Sequence, residues 1–157
     1  MTTSHSIVNF DLKQPVQFLA LGFGSGLAPK APGTFGTLAA IPFYFLLAEL
    51  TPLYYLIGLI ILSAAGVYIC GKAASDVGVH DHPAIVWDEF VGYFITMFMI
   101  PISWQTVLVG FILFRLFDIL KPWPISFIDK KMTGGMGIMF DDILAGLFSL
   151  IIMHLIF

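Results

Sequence analysis

Four long stretches of this chain contain no Asp, Glu, Lys or Arg: Ala31 to Ala48, Leu50 to Gly71, Phe90 to Phe114 and Ile143 to Phe157. A chain of 157 residues has the length of one domain, and one soluble core could not hide that much uncharged, apolar sequence. Charged residues make up only 11% of the chain and hydrophobic ones 59%, too little charge to coat a water-facing surface. The bilayer is therefore the expected solvent. The expected fold is all-α, a polytopic membrane helical bundle forming a single domain over 1–157.

Turn signals divide the apolar runs. Glu49-Leu50-Thr51-Pro52 parts the first pair and Pro101-Ile102-Ser103 the second. This predicts about five helices, over 35–49, 52–72, 84–101, 104–121 and 141–157, each roughly 22–32 Å long at 1.5 Å per residue. The stretch 16–28 is also apolar, but its glycines suit a re-entrant or interfacial segment. Such backbone must be covered by protein or face water. Residues 1–14 read as a flexible cytoplasmic tail. They do not read as a signal peptide, because 1–12 hold no Lys or Arg and Asp11 adds negative charge. The single Cys70 excludes an internal disulfide and a thiolate cluster. A net charge of −3 gives no footing for nucleic acid.

With residue 1 on the cytoplasmic side, the inner segments are 1–34, 73–83 and 122–140. Lys13, Lys30, Lys130 and Lys131 lie in them, Lys72, Arg115 and Lys121 lie at or near inner helix ends, and the outer turns hold no basic residue. That is the positive-inside pattern. Asp76, Asp81, Asp88, Glu89, Asp118, Asp129, Asp141 and Asp142 gather on the same side, with Glu49 outside. Ionisable groups set into apolar helices, as Asp88, Glu89, Arg115 and Asp118 are, are costly and mark function.

Four constellations carry possible chemistry. In residues 22–37, glycines would let backbone N–H groups approach an anion, with Lys30, Gly33, Thr34 and Thr37 as binding groups at a helix start. The alternative is a flexible lead-in with Thr34 as the helix cap. In 80–92, adjacent Asp88 and Glu89 repel, which favours a bound cation or a raised pKa. Hard oxygens at this density suit Mg²⁺, against the plainer reading of a pair interacting with a helix dipole. Arg115, Asp118 and Lys121 recur at i, i+3 and i+6 on one arc of a helix. They are either a structural ion pair or a surplus of positive charge for phosphate. In 134–146 a glycine loop brings Asp141 and Asp142 to the first turn of the last helix, one acid more than a cap needs.

Taken in order, Gly22 to Thr37, Trp-Asp-Glu-Phe-Val-Gly at 87–92, Phe-Arg-Leu-Phe-Asp-Ile-Leu-Lys-Pro-Trp-Pro at 114–124 and Gly-Gly…Asp-Asp…Ala-Gly at 134–146 resemble the phosphatidylglycerophosphatase A family. The resemblance spans roughly 15–155 and leaves the first 14 residues unmatched. It implies a Mg²⁺-dependent, multi-pass enzyme of the bacterial inner membrane. Its substrate among the membrane lipids would be phosphatidylglycerophosphate, hydrolysed at the cytoplasmic side to phosphatidylglycerol and inorganic phosphate. It implies metal binding by Asp88, Glu89, Asp141 and Asp142, with Arg115, Asp118 and Lys121 completing the site and Asp88 or Asp118 orienting water. Two rival readings are an enzyme of another lipid headgroup and a small ion-coupled transporter. The transporter would need charges near the midplane rather than at one face.

Overall fold

The structure, a computed structural model, describes residues 8–157, and those residues form helices without any strand. Seven α-helices follow one another: α1 (Pro15–Ala20), α2 (Pro32–Ala48), α3 (Pro52–Val77), α4 (Trp87–Thr96), α5 (Trp104–Leu120), α6 (Ile125–Lys131) and α7 (Gly134–Ile156). One 3₁₀ turn, Ser25–Leu27, stands between α1 and α2. Proline opens α1, α2 and α3, where the missing N–H costs no hydrogen bond. Ser103 and Thr106 start α5 with reciprocal side-chain to backbone bonds of 3.1 and 2.9 Å.

The helices expected over 35–49, 52–72 and 104–121 are present as α2, α3 and α5. Two others differ from expectation. The helix expected over 84–101 is ten residues long, Trp87–Thr96, about 15 Å and half a bilayer. Ahead of it, residues 84–86 are buried in irregular backbone, with Val86 N–H donating to Ala20 C=O at 2.8 Å. Gly26 packs directly on the Ala84 carbonyl, where a Cβ would not fit. The segment near 16–28 is a short helix and a 3₁₀ turn that cover that backbone.

The last helix begins at Gly134, not at 141, so Gly135 and Gly137 are helical rather than loop. Close packing decides this: Gly135 lies against Val67 C=O and Gly71 of α3, and Gly137 against Met132 C=O. Contacts between small residues outweigh glycine's poor helix propensity of about 1 kcal/mol. Residues 1–7 of the expected tail lie outside the described residues, while 8–14 are held. Asp11 N–H donates to Gln17 Oε1 at 2.7 Å, and Phe10 meets the edge of His82 at 5.1 Å.

Helix α7 is the centre of the molecule, packing on α3, α4, α5 and α6. α3 and α7, of 26 and 23 residues, are long and apolar enough to cross a membrane. The outer surface is apolar to a degree water does not tolerate in a monomer: Leu53 is 64% exposed, Leu46 69% and Trp104 73%.

Candidate active site

Five carboxylates and two cations converge at one end of the bundle. Asp88 and Glu89 occupy the first turn of α4, Arg115 and Asp118 the last two turns of α5, and Asp141 and Asp142 the third turn of α7. Lys121 caps α5 in a left-handed conformation, φ 44°. The following Pro122 disfavours a helical conformation for it, and its ammonium meets α7. Each acid is withdrawn from water: Asp88 is 6% exposed, Asp141 3% and Asp142 1%.

Two of the acids are bound to cations. Arg115 Nη1 donates to Asp118 Oδ2 and stands 3.9 Å from Glu89 Oε1. Lys121 Nζ donates to Asp141 Oδ2 and lies 3.8 Å from Asp118 Oδ1 and 3.9 Å from Asp129 Oδ1.

The remaining oxygens have no such partner. Asp88 Oδ1, Glu89 Oε2, Asp141 Oδ1 and Asp142 Oδ2 are buried without a hydrogen-bond donor, and Arg115 Nε is buried without an acceptor. They are the only such side-chain atoms among the described residues. An orphaned buried polar atom costs about 1–3 kcal/mol, so four acceptors and a donor together point to absent partners, a cation and an anion. Asp88, Glu89 and Asp142 offer oxygens within 4.8 Å of one another, and Asp118, Asp141 and Asp142 do the same. Hard oxygen donors so arranged fit a hard divalent cation such as Mg²⁺.

Of the glycine-rich residues, Gly33 belongs to this site. A Cβ there would sit 2.7 Å from Glu89 Oε1 and 3.0 Å from the Arg115 guanidinium nitrogens. Thr37 is buried one turn further along and its hydroxyl donates to Gly33 C=O at 2.8 Å, a helix-internal role. Thr34 is half-buried beside Gly33, while Lys30 is exposed in the loop ahead of α2. No ion pair among the described residues includes Lys30. His82 accepts from Ala84 N–H at 3.1 Å, a loop contact. The expectation of Asp141 and Asp142 in a first turn is corrected to the third.

Residue spacing groups Asp118 with the cations of its own helix, and only the family resemblance implies a place for it in one site with Asp141 and Asp142, beside which it lies. Sequence reasoning also passed over Asp129, which reaches Lys121 from α6. The first joins α5 to α7 across 23 residues and the second crosses the turn between α5 and α6, and no helical spacing signals either.

The phosphatidylglycerophosphatase A family matches residues 18–157 of the chain. A phosphatidylglycerophosphatase A of Escherichia coli is 49% identical over 146 residues, covering 92% of this chain and 85% of its own. One of Haemophilus influenzae is 48% identical over 158 aligned residues, covering 99% and 97%. A protein of Bacteroides thetaiotaomicron, provisionally described as a phosphatidylinositol-3-phosphatase, is 39% identical over 142 residues, covering 85% and 88%. No solved structure matches significantly.

Proposed function

The chain belongs to the phosphatidylglycerophosphatase A family, and from that premise we propose that this phosphatase hydrolyses phosphatidylglycerophosphate with Mg²⁺ held by Asp88, Glu89, Asp141 and Asp142. The observation that carries the reading is the group of orphaned carboxylate oxygens beside an orphaned guanidinium N–H. A divalent cation with a phosphate monoester supplies what both lack.

Mg²⁺, once bound, would screen the negative phosphate and favour ionisation of a water. The rest of the work falls to the chain. Arg115 keeps an unused Nε–H for a phosphate oxygen while Asp118 fixes its guanidinium. Lys121, fixed by Asp141, adds a point charge on the α7 side. Asp88 or Asp118 orients the attacking water and takes its proton. The oxygen of water bonds to phosphorus as the bond to the glycerol oxygen breaks. That oxygen takes a proton, leaving phosphatidylglycerol and inorganic phosphate. Gly33 leaves the space beside Glu89 and Arg115 in which a headgroup fits.

The proposal includes a multi-pass protein in the bacterial inner membrane with the site on the cytoplasmic side. Its support is the basic residues, which sit in segments at the same end as the site, and the exposed apolar belt. A second reading, a phosphoinositide or other phosphomonoester headgroup, draws support from the Bacteroides relative. Both are tested by phosphate release from the purified, detergent-solubilised protein. Phosphatidylglycerophosphate, phosphatidic acid and phosphatidylinositol 3-phosphate are offered in turn, with Mg²⁺ and with excess EDTA. Release from phosphatidylglycerophosphate should dominate and vanish in EDTA. Preference for another lipid would replace the substrate, and activity surviving EDTA would remove the metal.

A further inference from the structure

We infer that the site holds two divalent cations, with Asp142 as their shared ligand, Asp88 and Glu89 completing one position and Asp118 and Asp141 the other. This rests on the divalent-cation reading above and deepens it. Two triads of carboxylates meet the spacing a cation needs, and Asp142 is the one residue common to both. It is also the most buried acid of the set, 1% exposed, and its Oδ2 has no donor. Each triad carries further orphaned oxygen of its own: Asp88 Oδ1 and Glu89 Oε2 on the α4 side, Asp141 Oδ1 on the α5 side. A single ion among the α4 acids would leave the Asp141 oxygen unsatisfied, and an ion at the other triad would leave those of Asp88 and Glu89.

Charge separates one ion from two. Asp88, Glu89, Asp118, Asp141 and Asp142 against Arg115 and Lys121 leave three negative charges among the groups facing the two positions, with Asp129 outside them as the more water-exposed acid on Lys121. One divalent cation leaves the site still negative, which repels a phosphate monoester that itself carries up to two negative charges. Two cations turn it positive by one, which attracts that monoester. Low local dielectric magnifies the difference. A pair of divalent ions flanking the attacking and leaving oxygens is also an arrangement that displacement at phosphorus uses.

The test counts ions rather than turnover. Protein purified in detergent is stripped with chelator and dialysed against Mn²⁺. Bound metal per chain is measured, and the frozen sample is read by electron paramagnetic resonance. Two Mn²⁺ per chain with a spin-coupled spectrum are expected. Glu89→Gln and Asp118→Asn should each keep one ion with an isolated-ion spectrum. One uncoupled Mn²⁺ per wild-type chain would overturn the pair while leaving the cation reading intact. None would overturn both. Wild-type stoichiometry does not depend on how the variants fold, and variants that keep two coupled ions would remove Glu89 and Asp118 from the ligand set.

Discussion

Asp88 shows what this site asks of a single residue. Its carboxylate is buried next to those of Glu89 and Asp142, and one of its oxygens has no partner in the protein. Like charges packed out of water oppose folding, so the residue serves something other than stability. Asp88→Asn should therefore separate the two properties. Activity should fall by at least about 10²-fold, the scale of removing one preorganised electrostatic group. In excess EDTA the melting temperature should rise, on the order of 2–4 °C for each kcal/mol of repulsion relieved. Calorimetry in detergent checks it. A lower melting temperature in EDTA would mean that the carboxylate makes a structural bond, and full activity would take Asp88 out of the site. Arg115 differs in kind, since it stands between Asp118 and Glu89. Removing it leaves buried acids uncompensated, so loss of stability accompanies loss of activity there.

Helix-scale organisation is partly legible in the sequence. The charge-free runs and their prolines locate α2, α3 and α5, and the i, i+3 spacing offers an Arg115–Asp118 ion pair as one of two readings, the bond that is present. The start of α7 was not legible, because Gly134, Gly135 and Gly137 carry loop propensity and become helical only through contact with Val67, Gly71 and Met132. Nor was the shortness of α4, since Val86 N–H finds its acceptor more than sixty residues away at Ala20. The reach of Lys121 to Asp141 was hidden for the same reason: a proline turns it, but only the packing of α5 on α7 gives it a target. Two glycines let these effects be separated experimentally. Gly33→Ala presses on the tip of the Glu89 side chain, which can move, so activity should drop about 10–100-fold with little change in melting temperature. Gly135→Ala presses on the Val67 backbone, which cannot, and should destabilise α3 against α7 by about 1–3 kcal/mol or more. Equal stability of the two variants would contradict this division.

At the scale of the whole molecule, the deciding property is which surface meets lipid and which meets water. Exposed aromatic rings mark two levels. Tyr54 and Trp104 lie at the starts of α3 and α5, while Tyr68 and Trp123 lie toward the opposite end, where the carboxylates gather. Amphipathic rings of this kind settle at membrane–water boundaries. α5 alone, 17 residues, is about 26 Å long, with Trp104 at its start and Trp123 just beyond its end. The exposed aliphatic surface between these levels is what hydrocarbon would cover. On this arrangement Thr51 in the turn between α2 and α3 and Lys130 in α6 face opposite compartments, the second on the side of the site. Cys70 is fully buried and packed on Met139 Sδ at 3.9 Å, so the native thiol should resist a membrane-impermeant maleimide. On a Cys70→Ala background, Thr51→Cys should label only from the periplasmic side of cells or spheroplasts, and Lys130→Cys only in inverted vesicles. Labelling of both from one side would mean that α2 and α3 dip into the bilayer without crossing it. A reversed pattern would put the carboxylates on the periplasmic face, where the proposed orientation fails even with the chemistry intact.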